Sequence, residues 1–419
     1  MFSTFILLYT LWGGVLAFVC LGLVFPHALR GYSAAVTAFL AMACALFLPQ
    51  ILIIDGFLSA LLVGWRGMNA HLLQVGLSLH LLSWSLALVH LRRVSRSKPI
   101  LKGGTIPPPV LEEGEEKSSA LLEPTWAEEW VPALTWRIRE MNAVDVEKGI
   151  VYREVDGVRL KADIYRAIPR KRKAPALLYI HGGGWVAGSR RQSRYLCHRL
   201  ARTGWTVIAV SYRLAPRFPL PAGLIDAKAA LAWLRDNADE LDIDARFIVV
   251  AGGSAGGHLA LMLGLTENDP RFQPGFESSS TQVDGVLAFY PVTDFTSPFE
   301  RGRNVALGTL LERVVIQRPY ESAKDVYQAL QPVSYVRPDV PPILVVHGQN
   351  DELVPIHESR RFIDLLRRQG ADAYLLEVPA ATHAFEVAPG PLERRTFPTI
   401  LAFVEGIRAA KRQDDARGH

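Results

Sequence analysis

Charged side chains are nearly absent from the first 91 positions of the chain, where apolar residues follow one another with few interruptions. The charged residues there are Arg30, Asp55 and Arg66. Three apolar segments are each long enough for a helix across a bilayer, which needs roughly 20 residues. They span about 3–26, 31–54 and 67–91. The second segment stays apolar through 58–63, so three is the best count rather than a fixed one. The pattern predicts a transmembrane region of about three helices over 1–91.

Polar and basic residues refine this reading of the third segment. Its polar side chains either line a site or bond to neighbouring helices, and we favour helix packing. They are His71, Gln74, His80, Ser83 and Ser85. Basic residues close the segment at Arg92, Arg93, Arg96 and Lys98. Because lysine and arginine next to a span favour the cytoplasmic side, we expect an integral membrane protein whose C-terminal part is cytoplasmic.

The composition changes over residues 92–143. A proline run at 107–109 and an acidic run at 112–117 are typical of a solvated linker. The following stretch, 121–141, places Trp126, Trp130 and Trp136 among polar residues, which indicates a short amphipathic helix. This helix lies either on the membrane surface or over the globular domain, and the sequence does not choose between the two.

Alternating strand and helix patterns occupy 144–410 and leave a short tail at 411–419. Apolar runs predict strands at 176–180, 206–210, 247–251, 286–290, 343–346 and 373–378. Helical patterns lie between or after them at 224–237, 359–369 and 398–410. Runs at 151–155 and 159–165, joined at Asp156-Gly157, predict an antiparallel hairpin. The alternation predicts an α/β domain: a mostly parallel sheet with helices on both faces.

A serine flanked by glycines follows one predicted strand and precedes an apolar helix. The stretch Gly252–Gly257 reads Gly-Gly-Ser-Ala-Gly-Gly, with Ser254 at its centre. In this setting G-x-S-x-G is the nucleophile elbow typical of α/β-hydrolases, in which the serine stands exposed on a sharp turn. Ser254 is therefore the candidate nucleophile.

A serine nucleophile needs a base and a group that orients the base, and in this fold class they follow in the order serine, acid, histidine. His383 comes just after the last predicted strand, where a loop can bring it over the serine. Asp351 follows the strand at 343–346, at the sheet edge where active-site groups collect. We favour Asp351 as the acid, with Glu352 and Asp294 as the alternatives.

A second glycine-rich motif supplies backbone donors. Three glycines follow the strand at 176–180 in His181-Gly182-Gly183-Gly184-Trp185. Glycines allow two N–H groups to face one point, and the N–H of Ala255 adds a third donor. Gly183, Gly184 and Ala255 are therefore the candidate oxyanion hole, and we interpret His181 as structural.

Taken together, these motifs and the stretch Ser211–Pro216 resemble the hormone-sensitive-lipase-like family of α/β-hydrolase esterases and lipases. The resemblance covers about 144–410 and implies ester hydrolysis through Ser254, Asp351 and His383. The apolar front is similar to that of mycobacterial lipase/esterases and isoprenylcysteine methylesterases. The chain departs from the family pattern twice: Gly253 stands where an acidic residue usually precedes the serine, and Ala384 where glycine usually follows the base.

Composition narrows the function further. The net charge of +5 comes without a basic run interleaved with aromatics, so we expect no nucleic-acid partner. Cys20, Cys44 and Cys197 have no metal-ligand or disulfide spacing. The sequence predicts a membrane-anchored serine carboxylesterase or lipase that needs no metal or organic cofactor and acts on a lipid or other acyl ester. The oligomeric state is left open. The alternatives are an amidase or acyltransferase with the same groups, a silent hydrolase-fold binding module, and a transporter.

Overall fold

The protein is described by a computed structural model. It describes residues 2–24, 51–52, 54–56, 58–59, 70–104, 106, 143–170, 173–300, 305–387 and 390–417. The amphipathic stretch predicted at 121–141, most of the second apolar segment and Cys44 lie outside these residues.

Nine strands of the described residues form one sheet. They are β1 (Ile100–Lys102), β2 (Val144–Val155), β3 (Val158–Ala167), β4 (Ala174–Ile180), β5 (Thr206–Val210), β6 (Ile243–Gly253), β7 (Gly285–Phe289), β8 (Ile343–Gly348) and β9 (Ala373–Val378). Their order across the sheet is β1-β9-β8-β7-β6-β4-β5-β3-β2. The six central strands, from β9 to β5 in this order, are parallel to one another, while the β2–β3 hairpin and β1 add antiparallel edges.

Helices connect the strands and cover the sheet. In the globular part they are α3 (Arg194–Arg202), α4 (Ala222–Asp236), α5 (Ala238–Leu241), α6 (Ala255–Leu265), α7 (Ser297–Glu300), α8 (Val305–Leu310), α9 (Lys324–Ala329), α10 (His357–Arg368) and α11 (Pro391–Arg417). Before them, among the described residues, come two long N-terminal helices, α1 (Phe2–Val24) and α2 (Ala70–Arg96). The predicted α/β-hydrolase architecture is confirmed, and each predicted strand of the parallel part overlaps an observed one.

The central strands are apolar on both faces because successive side chains of a strand point to opposite sides of the sheet. Leu178 and Ile180 of β4 join a core with α4 and α6, whereas Leu177 and Tyr179 join a second core with α3 and α11. All seven residues of β4 are buried. Covering both faces leaves the carboxyl ends of the strands as the place where loops can build a site.

The two N-terminal helices pack together through small and polar residues. A Cβ added at Gly13 would lie 2.8 Å from His80 Nε2, so the absent side chain permits the close approach of α1 and α2. Asp55 Oδ2 accepts a hydrogen bond from Trp84 Nε1 at 2.8 Å and lies 2.9 Å from His80 Nδ1. These contacts fit the interpretation that His80 serves helix packing.

One helix among the described residues, Gln74–Arg96, is long and apolar enough to cross a membrane, and Leu7–Leu21 is a shorter apolar stretch. The end of α2 contacts the globular part directly. Arg395 on α11 donates hydrogen bonds to the carbonyl oxygens of Val94 and Ser97. A few residues later β1 pairs with β9, and Lys102 forms an ion pair with the buried Glu377 at 2.5 Å. The sequence does not predict this strand, because three residues are too few to show a period.

Candidate active site

The turn between β6 and α6 holds Ser254 in a backbone conformation that few non-glycine residues adopt, with φ of 56° and ψ of −119°. Glycines on either side permit it. A Cβ at Gly252 would lie 2.4 Å from the carbonyl oxygen of Gly256, and one at Gly256 would lie 2.1 Å from the carbonyl oxygen of Ile180. Ser254 N donates to Phe289 O at 2.9 Å, which fixes the turn against β7. Ser254 is the only residue at this tip with a nucleophilic side chain.

His383 and Asp351 converge on this serine from two neighbouring strand ends. His383 Nε2 lies 3.0 Å from Ser254 Oγ, and His383 Nδ1 lies 2.7 Å from Asp351 Oδ2. Asp351 follows β8 and His383 follows β9, so the parallel strands deliver both side chains to the same edge of the sheet. The structure thus brings together all three residues of the predicted constellation.

The carboxylate of Asp351 is held by four groups. Its Oδ1 accepts the backbone N–H groups of Leu353 and Val354 at 3.0 and 2.9 Å, and its Oδ2 also lies 3.3 Å from His347 Nε2. Burial alone would raise the pKa of the Asp351 carboxyl, but the charges and hydrogen bonds of the two histidines outweigh burial and hold that pKa below its usual value. Asp351 therefore keeps a negative charge beside the imidazole.

The alternative acid Asp294 is engaged elsewhere. Its Oδ2 lies 2.6 Å from Arg361 NH1, and its Oδ1 accepts the backbone N–H groups of Thr296 and Ser297 at 3.0 and 2.9 Å. These contacts stabilise the start of α7. The geometry therefore favours Asp351 over Asp294 as the partner of His383.

The loop after β4 approaches the serine closely. A Cβ at Gly182 would lie 3.3 Å from Ser254 Cβ. Gly183 and Gly184 have φ values of 119° and 61°, in the region that favours glycine, and the carbonyl of Gly183 accepts from Val186 and Ala187 to close the turn. The side chain of Leu310 on α8 covers Gly184, 3.7 Å from the position of a Cβ there. Helix α8, which lies between β7 and β8 in the chain, thus places an apolar side chain over this loop.

The other histidines of the region are structural in their contacts. His181 Nδ1 lies 2.8 Å from Gly182 O and its ring stacks on Tyr212. His258 accepts from Trp185 Nε1 at 3.2 Å through Nδ1, and its Nε2 donates to Leu330 O at 2.8 Å. Burial lowers the pKa of both His181 and His258 to about 4, so both rings stay neutral at ordinary pH.

Two residues next to the site, Tyr290 and Glu386, were not predicted from the sequence. The ring of Tyr290 lies 4.3 Å from that of His383, and its hydroxyl donates to Glu386 Oε1. Tyr290 directly follows β7 and closes an apolar run, so in the sequence it looks like a core strand residue. Glu386 follows His383 by three positions, and a carboxylate this close to a candidate base was the available signal.

Both departures from the family pattern have a structural basis. Ala384 has φ of 59°, a conformation that glycine adopts more easily, which accounts for glycine as the usual residue. A Cβ at Gly253 would lie 2.8 Å from Tyr290 Oη and 3.2 Å from Glu386 Oε1. The space beside the elbow is therefore occupied by these two side chains.

Comparisons with known proteins place this geometry in a class. The family model BD-FAE matches residues 162–366. Probable carboxylic ester hydrolase LipM of Mycobacterium tuberculosis is 39% identical over 240 residues, 57% of this chain and 56% of that protein. Ethyl acetate hydrolase of Pseudomonas putida is 33% identical over 243 residues, 55% of this chain and 72% of that protein. The chain thus spans a little over half the length of LipM.

Among solved structures, the butyrate-bound Est2 esterase of Thermogutta terrifontis is 26% identical, with a TM-score of 0.51 over 68% of this chain and 97% of that chain. The sheet order, the elbow and these likenesses define an α/β-hydrolase. Within that class, the chain belongs to the hormone-sensitive-lipase-like family of esterases.

Proposed function

We propose that this protein is a membrane-anchored serine carboxylesterase in which Ser254, His383 and Asp351 act as a catalytic triad. The observation that carries the proposal is the continuous chain of contacts from Ser254 Oγ to His383 Nε2 at 3.0 Å and from His383 Nδ1 to Asp351 Oδ2 at 2.7 Å. This is the geometry that activates a serine hydroxyl for attack on an acyl carbonyl.

In the proposed reaction, Ser254 Oγ attacks the ester carbonyl carbon while His383 Nε2 takes the hydroxyl proton. Asp351 orients the ring and stabilises the imidazolium. The backbone N–H groups of Gly183, Gly184 and Ala255 hold the oxyanion, helped by the N-terminus of α6. When the tetrahedral intermediate collapses, His383 passes the proton to the leaving alcohol and Ser254 is left acylated. Water then hydrolyses the acyl-enzyme with the help of the same groups.

The substrate is proposed to be a lipid or lipid-like acyl ester that partitions into the bilayer beside the anchor. A series of p-nitrophenyl esters from acetate to palmitate, with a matched p-nitroanilide series, tests the reaction class. Ester turnover that exceeds anilide turnover at every chain length supports a carboxylesterase. Faster turnover of the anilides than of the esters, or no turnover of either series by folded protein, contradicts the assignment as a carboxylesterase. Short esters belong in the series because one relative is named for ethyl acetate and another holds butyrate.

We propose three membrane spans, with the hydrolase domain on the cytoplasmic side. Four basic residues within seven positions, from Arg92 to Lys98, follow the last span, and basic residues in short flanking segments set orientation. We expect a green fluorescent protein fused after His419 to be bright and an alkaline phosphatase at the same place to be inactive. The reverse pattern would contradict this topology and favour two or four spans.

Removal of residues 1–91 is expected to leave a folded enzyme that hydrolyses soluble esters at near the full-length rate but no longer sediments with membranes. The sheet and the catalytic groups all lie beyond the cut, and so do Val94, Ser97 and β1, which contact the hydrolase domain. Turnover of p-nitrophenyl butyrate and a sedimentation assay measure the two outcomes.

The matched control removes residues 1–104 and takes β1 as well. This version exposes the edge of β9 and leaves the buried Glu377 without its Lys102 partner, so it should melt at a lower temperature. Loss of soluble-ester activity in a folded 1–91 deletion would show that the spans help to build the site.

A further inference from the structure

A second carboxyl group lies beside the proposed triad, and the reaction described above does not use it. Glu386 is 1% exposed. One of its oxygens, Oε1, accepts the hydroxyl of Tyr290, while Oε2 is buried with no hydrogen-bond partner among the described residues. A carboxyl group that serves only to hold the fold normally has both oxygens satisfied, so this one calls for another explanation.

Tyr290 links this carboxyl group to the base. Its ring centroid lies 4.3 Å from that of His383, at an interplanar angle of 55°. Its backbone has φ of 37°, a strained value for a tyrosine, and it is fixed by a hydrogen bond from its N–H to Val346 O at 2.8 Å. Backbone strain of this kind persists only where the surroundings impose it, and it is common at functional sites.

The elbow leaves room for the pair. With any side chain at position 253, a Cβ would meet Tyr290 Oη at 2.8 Å and Glu386 Oε1 at 3.2 Å. Glycine at this position therefore lets the carboxyl group reach the elbow from the histidine loop, close to both Ser254 and His383.

The charges around Glu386 single out one interaction. Among the residues that the structure describes, the titratable groups that face it are Tyr179 on β4, Tyr290 after β7, His383 on the same loop and Glu393 on α11. Glu393 is already paired with Arg199, whose NH1 lies 3.0 Å from each of its oxygens. Of the four facing groups, His383 is the one that gains a positive charge in the proposed reaction.

We propose that Glu386, acting through Tyr290, is a positioning residue for His383 and that its negative charge stabilises the imidazolium formed during ester cleavage. The inference rests on the proposed function. Burial raises the pKa of Glu386 to about 7, although the hydrogen bond from Tyr290 opposes this rise. The carboxyl group is therefore neutral in acid and charged above neutral pH, so its contribution to catalysis appears as the pH rises through 7.

The test compares kcat of the full-length enzyme and of Glu386→Gln with p-nitrophenyl butyrate from pH 5.5 to 8.5. The variant keeps the size and an acceptor for Tyr290 but carries no charge. The ratio of native to variant kcat should rise from near one at the acid end to on the order of tenfold at the alkaline end, with KM unchanged. A ratio that is constant across this range would overturn the proposal, because a merely structural role lowers activity equally at every pH.

Two further variants complete the experiment. Tyr290→Phe keeps the ring but removes the hydrogen bond that favours the charged carboxylate, so Glu386 should ionise about one pH unit higher in this variant. Its ratio should therefore rise together with that of Glu386→Gln and then fall back toward one when the variant's own carboxyl group ionises. Tyr290→Phe also tests the proposal if Glu386→Gln does not fold. Glu377→Gln neutralises a buried carboxylate that contacts Arg360 and Lys102 instead, and its ratio should be independent of pH.

A Ser254→Ala enzyme that remained active would refute the proposed function itself, whereas a flat Glu386→Gln ratio beside an inactive Ser254→Ala refutes this inference alone.

Discussion

Ser254→Ala is expected to abolish ester hydrolysis, with a fall in kcat of roughly a million-fold, equivalent to about 8 kcal/mol of transition-state stabilisation. The reason is geometric. Ser254 carries the only hydroxyl at the tip of the elbow, 3.0 Å from His383 Nε2, and alanine leaves the base with no nucleophile to activate. The measurement is turnover of p-nitrophenyl butyrate by purified native and variant enzymes.

The change removes one oxygen atom from a half-buried side chain, so the fold should survive. A melting curve that matches the native enzyme is therefore part of the experiment. The control is Ser359→Ala, which removes a buried hydroxyl bonded to His347 Nδ1 at 2.7 Å rather than to His383. Ordinary turnover by folded Ser254→Ala would refute the proposed mechanism.

Asp351→Asn is expected to lower kcat on the order of ten-thousand-fold, about 5 kcal/mol, and so less than loss of the nucleophile. The amide removes the negative charge that faces His383 Nδ1 at 2.7 Å and favours the wrong tautomer of the ring. The serine, the base and the oxyanion donors stay in place, so a residual activity should remain.

The controls for this change are Glu352→Gln and Asp294→Asn, the two alternative acids from the sequence. Asp294 is bonded to Arg361 and to the start of α7, so its variant should lose stability before it loses turnover. A crippling effect of either control, together with a mild effect of Asp351→Asn, would show that the acid is wrongly assigned.

The α/β-hydrolase fold was predictable because its central strands are recognisable in the sequence as apolar runs. β5 and β9 were predicted with the bounds that the structure has, since each is a short apolar run between turn residues. Ser254 and Gly183 were predictable for a related reason: sharp turns and close backbone approaches restrict which residues can occupy them. In each case the information is local in the sequence.

What the sequence did not reveal depends on contacts between distant segments. The strand β1 is fixed by its pairing with β9, more than 270 positions later in the chain, and not by any periodicity of its own. Tyr290 looked like a core residue, and its contact with His383 arises only when β7 and the loop after β9 meet. The contact of His347 with Asp351 is local by comparison, since the two residues are four positions apart and are joined by the turn that follows β8.

Labelling with a fluorophosphonate probe, followed by peptide mass spectrometry, tests the central proposal most directly. The probe reacts with a serine only when a neighbouring base activates it, so it reports the nucleophile without any assumption about the natural substrate. We predict a single adduct on the peptide that contains Ser254, absent from His383→Ala and from protein inactivated by heat. An adduct on another residue, or no adduct on folded native protein, would contradict the account.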